Sequence, residues 1–210
     1  WMLSANGTIF TYEYEAIIPG LLKRWYAERQ DMQQKMRDCG DNEIEREYWD
    51  KRQLVKKINL NSLYGAILNP GCRFFDIRIG QSVTLTGRCI TKHMASKVNE
   101  IVAGKYDHKG ESVVYGDTDS VYFSAFKTLQ KEINEGLIPW TKESVIGLYD
   151  KIAEEVNGSF KSFMTKAFHT PTTRGDVIKA GRELVASKGL FITKKRYAVL
   201  YYDMLYCTMI

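Results

Sequence analysis

Two aspartates stand two residues apart, Asp117 and Asp119, inside the segment YGDTDS at residues 115–120, between apolar runs at residues 112–115 and 120–126. Carboxylates held at the tip of a hairpin are oxygen donors for a hard divalent cation such as magnesium, which keeps waters and substrate phosphates in the rest of its shell. Negative charge between apolar strands is costly unless a cation arrives. Asp and Gly also suit any tight turn, so the motif alone is equally a good turn. A second set is Lys57, Asn61 and Tyr64. At about 100° per residue these fall within roughly 60° of one another around a helix axis, so a cation, an amide and a phenol point the same way. Such a stripe can grip a polyanion and a flat base together, although a solvated Lys and Asn beside a half-buried Tyr share the spacing. Arg29, on a separate charged helix, adds a planar fork suited to phosphate. The third set is SKGLFITKKRY at residues 187–197, where Phe191, Lys194, Lys195, Arg196 and Tyr197 interleave cations with rings. That alternation suits a nucleic-acid backbone with sugar or base edges alongside, and also a solvated strand.

These residues need elements to position them. Apolar residues from Ile17 to Met36 recur at helical spacing, with Pro19 in the first turn, where its missing N–H costs little. Gly40 supplies a stop, and Asn42 with Glu45 three residues later reads as a capping pair opening a second helix over residues 43–68. Helices joined by so short a turn run antiparallel, forming a hairpin. Asn69-Pro70-Gly71 breaks the second helix. Val83, Gly87, Ile90, Met94, Val98 and Ile101 then predict a third, mostly buried helix. Residues 112–115 and 120–126 read as a β-hairpin around a turn at residues 116–119. Ile146, Tyr149, Ile152, Val156, Phe160, Phe163, Met164 and Ala167 predict a fourth helix. After Pro171, residues 177–180, 184–186 and 190–193 read as short strands or extended pieces.

Composition sharpens the third set. The chain has 210 residues with 30 Lys and Arg against 25 Asp and Glu, a formal charge of +5. Residues 171–197 hold seven bases (Arg174, Lys179, Arg182, Lys188, Lys194, Lys195, Arg196) and two acids (Asp176, Glu183), so this stretch carries the whole excess. A 44% hydrophobic content excludes disorder as the main state. No run approaches the roughly 18 apolar residues of a membrane span, so no membrane partner is expected. The opening WMLSANG reads as neither a signal peptide nor a translation start. Cys39, Cys72, Cys89 and Cys207 lack paired spacing, and His93, His108 and His169 stand far apart, so reduced thiols and no zinc site are expected.

Three motifs in this order and spacing resemble family B (polymerase-alpha-like) DNA polymerases: KINLNSLYG at residues 57–65, YGDTDS at 115–120 and TKKRY at 193–197. The text between them, including FFDIRIGQSVTLTG and GRELVASKGLFITKKRYAV, is similar to the replicative polymerases of tailed myovirus-type bacteriophages. The resemblance runs to about Met204 and stops before LYCTMI. It implies that Asp119 is the main ligand of a two-magnesium site, Asp117 a lesser participant and Glu183 an auxiliary carboxylate. Lys57 would contact the incoming deoxynucleoside triphosphate and protonate the leaving pyrophosphate, Asn61 would hold phosphates, and Tyr64 would pack against the nascent base pair. Arg29 resembles the arginine that binds the γ-phosphate. Gln33 stands where close relatives carry a second cation, with Lys35 nearby. Lys195 and Tyr197, with Lys194 and Arg196 beside them, would support the primer terminus from the minor groove, whose acceptors are shared by all base pairs.

The expected fold is α+β: an antiparallel helical-hairpin fingers lobe at residues 17–68, after an upstream palm end at 1–16, and a partial palm at 69–204. That palm carries the catalytic hairpin at 112–126 and the basic primer-binding segment at 171–197, with a divergent tail at 205–210. The expected function is that of a fragment of a replicative DNA-directed DNA polymerase working on primer-template DNA in the cytoplasm of an infected bacterial host. The family's upstream Asp-x-x-Ser-Leu-Tyr motif does not occur here, nor do an exonuclease or thumb, so the fragment alone is expected to be inactive without the remaining polymerase segments. One subunit of a naturally split polymerase, a nonenzymatic DNA-binding module and a nucleotide-sugar transferase with an Asp-x-Asp turn are the alternatives; the last has no need of the Lys57 stripe or of TKKRY.

Overall fold

The computed structural model describes residues 1–204, and the tail at 205–210, with Cys207, lies outside them. The chain is α+β and divides into two compact units, residues 8–83 and residues 1–7 with those from Thr84 onward. Two-residue strands β1 (Met2–Leu3) and β2 (Ile9–Phe10) precede the helices.

In the first unit α1 (Ile17–Asp38) and α2 (Glu43–Ile67) form the expected antiparallel hairpin. Gly40 takes the left-handed φ of 54° that ends α1. The Asn42 side chain then accepts the Glu45 N–H at 3.2 Å, the capping bond the sequence implied. Contacts across the pair are polar: Lys56 reaches both Glu28 and the Trp25 ring, Arg29 meets Gln53, and Lys35 lies 4.9 Å above Trp49. These pairs step along the two helices in opposite directions, so cations over indoles fix one register. Residues 69–76 turn the chain into α3 (Ile77–Ala103), where Asp76 accepts the Arg78 N–H and guanidinium and is held down to about 2 by those bonds. The division between units falls inside α3, fifteen residues beyond the expected fingers boundary at 68. Val83 is 54% exposed, so this helix is not buried from its start; it packs into a core only from Ile90 onward.

In the second unit that core joins Val98 of α3 to Ile152, Val156 and Phe160 of α5 (Lys142–Phe168). The Thr141 side chain caps α5, which ends at His169 with φ 53°. Its buried stripe includes Val145 and Phe168, whereas Ala167, expected inside, is exposed. Strands β3 (Val113–Asp117) and β4 (Ser120–Phe123) make the expected hairpin, but β4 stops at Phe123. Phe126 instead opens a helix absent from the sequence reading, α4 (Phe126–Asn134), and its ring meets Trp140 edge-on at 5.4 Å. The short pieces expected after Pro171 are also different. Residues Thr172–Val177 form a 3-10 turn, and β5 (Leu184–Thr193) pairs with β6 (Arg196–Met204) as one long antiparallel hairpin. Residues 187–189, left outside the expected pieces, lie within β5, and at Gly189 the Phe191 ring occupies the space of a side chain: an added Cβ would stand 2.8 Å from Phe191 Cε2.

One buried histidine gives this unit a pH dependence. His93 is 8% exposed, stacked on Phe163 at 3.9 Å. Its Nε2 lies 2.9 Å from Ser159 Oγ, whose own proton goes to the Val156 carbonyl, so Nε2–H is the donor there, and its Nδ1 lies 2.8 Å from Tyr106 Oη. Burial, then Lys97, lowers its pKa against an opposing pull from Glu100, and the net lowering favours the neutral ring. Below about 6.5 the unfolded imidazole takes up a proton that the folded one resists, so stability falls with pH. Urea unfolding is expected to show lower stability at pH 5.5 than at 7.5, and His93→Gln is expected to shrink that difference.

Candidate functional site

The carboxylate turn is built on β3 and β4. Asp117 pairs with Ser120, which leaves Thr118 and Asp119 as a two-residue loop with Thr118 at φ 47°. A non-glycine residue in that region costs about 1–2 kcal/mol, a strain typical of functional turns. The two aspartates are consequently unlike each other. Asp117 ends a strand, is 19% exposed, and receives the Thr118 hydroxyl at 3.2 Å and Lys194 Nζ at 3.8 Å. Asp119 is exposed on the loop and has no partner among the described residues. Behind the turn, Thr91 Oγ1 on α3 sits 2.9 Å from the Thr118 carbonyl.

The basic turn is built the same way. Thr193 pairs with Arg196, so Lys194 and Lys195 form a two-residue loop with Lys195 at φ 64°. Four rings lock this loop to the carboxylate turn. Tyr115, Tyr122, Phe191 and Tyr197 lie in mutual contact, all six centroid separations being 5.2 to 5.7 Å. The Lys195 N–H donates to Tyr115 Oη at 2.8 Å, and the Tyr122 and Tyr197 hydroxyls share a hydrogen bond of 2.8 Å. Burial, then the bond to Tyr197, pushes the Tyr122 phenol far up, so it keeps its proton. The side chains of Lys195 and Arg196 stay exposed, without acidic partners among the described residues. The structure thus brings Asp117, Asp119, Lys194, Lys195 and Tyr197 together.

Glu183 is exposed just before β5 and near enough to act on Tyr122 through its charge. It is not gathered with the two aspartates: among the described residues no three His, Cys, Asp or Glu side chains are grouped for a metal ion. Two oxygen donors at one turn, one of them open, suit a hard divalent cation without completing its shell.

In the other unit Lys57 and Asn61 are exposed on α2 with no partner among the described residues, and Tyr64 is half-buried, its hydroxyl donating to the Gly80 carbonyl at 3.3 Å. All three stand on α2. Arg29 is not a solvated cation: it is 5% exposed, its Nε donating to Gln53 Oε1 at 3.2 Å. Lys35 is engaged by Asp31 at 2.8 Å and by Trp49. Gln53, Thr91 and Asn99 were not singled out in the sequence, and only the Asp50/Gln53 spacing of three offered any signal. Asn99 is 2% exposed; its side chain donates to the Lys105 carbonyl at 2.7 Å and accepts the Ser112 N–H at 3.2 Å, pinning the loop that feeds β3.

One unit holds a tight carboxylate turn braced by rings against a basic turn, the other a cation-amide-phenol stripe on its helical hairpin, and the chain belongs to DNA polymerase family B, whose model matches residues 4–206. It is 35% identical over 164 residues, 72% of this chain, to the DNA-directed DNA polymerase of Escherichia phage RB69. The DNA polymerase delta catalytic subunit of Oryza sativa subsp. japonica is 30% identical over 190 residues, 90% of this chain. DNA polymerase 1 of Pyrococcus abyssi is 25% identical over 194 residues, 92% of this chain. The chain spans 18%, 15% and 21% of these relatives respectively. No described helix is long and apolar enough to cross a membrane.

Proposed function

We propose that these residues supply the fingers, at 17–68, and the C-terminal part of the palm, at 69–204, of a replicative DNA-directed DNA polymerase that acts in the cytoplasm of an infected bacterial host. The observation that carries this reading is the four-ring cluster, which holds the Lys194-Lys195 turn against the Asp117–Asp119 turn. That contact supports a reading in which the Lys194-Lys195 turn would grip the primer end close to the carboxylates that would meet the triphosphate. Asp119, with Asp117 as the lesser ligand, would hold magnesium, two ions in the complete enzyme, and Glu183, which stands apart from the two aspartates here, would be an auxiliary carboxylate only in that complete site. A divalent ion held there would supply Lewis-acid chemistry, lowering the pKa of the primer 3′ hydroxyl and stabilising charge on the leaving pyrophosphate.

The chain's own residues do the rest. Lys57 neutralises the triphosphate and carries a proton that can pass to the leaving pyrophosphate; Asn61 orients phosphate oxygens. Tyr64, anchored to the Gly80 carbonyl, offers its ring to the nascent base pair. Lys195 and Tyr197, flanked by Lys194 and Arg196, meet the primer-template in the minor groove without reading sequence. The partners are primer-template DNA, deoxynucleoside triphosphates and the polymerase segments that carry the family's other aspartate.

The division of labour is testable by transplanting these residues into the phage RB69 polymerase in place of its matching segment. In that chimera Lys195→Ala is expected to weaken primer-template binding roughly tenfold at low salt with a shallower salt slope, and Lys57→Ala to reduce use of the triphosphate while leaving DNA binding alone. The reverse pattern would refute the assignment.

A further inference from the structure

Arg29 poses a problem that its assignment as a phosphate ligand does not answer. Its side chain is 5% exposed, no carboxylate lies within ion-pair distance of it among the described residues, and its Nη2 is buried with no hydrogen-bond partner. A buried guanidinium ordinarily has an acid beside it, because an uncompensated charge away from water is expensive. Here the partner is an amide. Arg29 Nε donates to Gln53 Oε1 at 3.2 Å, and Gln53 Nε2 donates to Asp50 Oδ1 at 2.9 Å, so the oxygen of Gln53 is turned toward Arg29 by a residue one turn earlier on α2. The nearest acid in sequence, Glu28, is occupied by Lys56 and Arg24.

From this geometry we infer that Gln53 is a latch that keeps Arg29 withdrawn against α2, from which a triphosphate draws it out. The inference rests on the reading of Arg29 as a triphosphate ligand. A neutral latch has a specific advantage. It holds the guanidinium by one bond and leaves its charge unmatched, so an incoming polyphosphate that offers full charge compensation outcompetes it. A carboxylate at the same place would match the charge and keep it. Because only the released form binds the anion, apparent affinity is the intrinsic affinity scaled by the released fraction. Gln53 therefore sets triphosphate affinity without touching the ligand.

The two substitutions at this position move affinity in opposite directions, which separates a latch from a residue that merely presents Arg29 to the phosphate. The probe is sodium tripolyphosphate titrated into the 210-residue chain, read at the Arg29 Nε–H resonance by NMR and assigned by its loss in Arg29→Lys; circular dichroism confirms equal helix content. Gln53→Met, which keeps the length and removes the acceptor, is expected to tighten binding several-fold and to speed solvent exchange of Nε–H in the free chain. Gln53→Glu is expected to weaken binding more than tenfold and slow that exchange. Weaker or unchanged binding in Gln53→Met overturns the latch. If the Arg29 signal ignores tripolyphosphate in the parent and in Gln53→Met alike, the latch falls with the assignment of Arg29. Backbone amide shifts at residues 57–64 that follow tripolyphosphate and vanish in Lys57→Ala then still support the rest of the stripe, and shifts unchanged in Lys57→Ala overturn the fingers reading as well.

Discussion

Asp119→Ala is expected to reduce primer extension by the phage chimera at least about a thousandfold, while primer-template binding changes little. The magnitude follows from what the carboxylate holds. Charge stabilisation by a bound divalent ion contributes several kcal/mol at the transition state, and about 1.36 kcal/mol corresponds to each tenfold in rate. Asp119 is exposed on a two-residue loop and engages nothing else among the described residues, so its removal takes away ligand capacity and no packing. Asp117→Ala is expected to cost less in rate, since Asp117 is already turned toward Lys194 and the Thr118 hydroxyl. The 210-residue chain alone is expected to extend no primer, because Asp117 and Asp119 lack the aspartate that the upstream family motif supplies. Single-turnover extension with a labelled primer measures all three; magnesium-dependent extension by the chain alone that vanishes in Asp119→Ala would sink the last.

Asn99→Ala is expected to lower the unfolding free energy by about 2–6 kcal/mol, from a buried N–H and a part-buried carbonyl left unmet at roughly 1–3 kcal/mol each. Those groups are the Lys105 carbonyl and the Ser112 N–H, at either end of the loop that delivers β3. The packing is close on the other side as well: a Cβ added at Gly110 would lie 2.0 Å from the Asn99 side chain. Asn99→Asp is expected to fare little better, since a carboxylate cannot donate to the Lys105 carbonyl. Urea unfolding of the chain reads the loss directly. A change below about 0.5 kcal/mol would mean that water enters and replaces both bonds.

Local signals explain what the sequence disclosed. The capping pair Asn42 and Glu45, the stop at Gly40 and the break at Asn69-Pro70-Gly71 act within a few residues, and the hairpin α1–α2 forms between them as expected. The site motifs were legible for the same reason, each being a short run on one element. Features set by distant contact were not. Nothing near Arg29 in sequence tells that Gln53 lies across from it, so a buried residue reads as a solvated one. Residues 187–189 fall between two expected pieces until the ring of Phe191 is seen to fill the empty side of Gly189. Helix α4 is only nine residues long, and its first residue, Phe126, continues an aromatic β pattern that ends three residues earlier. The inequality of Asp117 and Asp119 depends on hairpin register, which a one-residue shift reverses.

The four rings also bear on how this segment can change through descent. Tyr115 and Tyr122 belong to one hairpin, Phe191 and Tyr197 to another, and each ring touches the other three. A smaller residue at any one position opens a void shared by all, and a larger one displaces two turns at once. The four positions are therefore expected to change as a set. Recombination between lineages that parts residues 115 and 122 from residues 191 and 197 joins rings shaped for different neighbours, so tolerated crossover points should avoid the interval between the two hairpins.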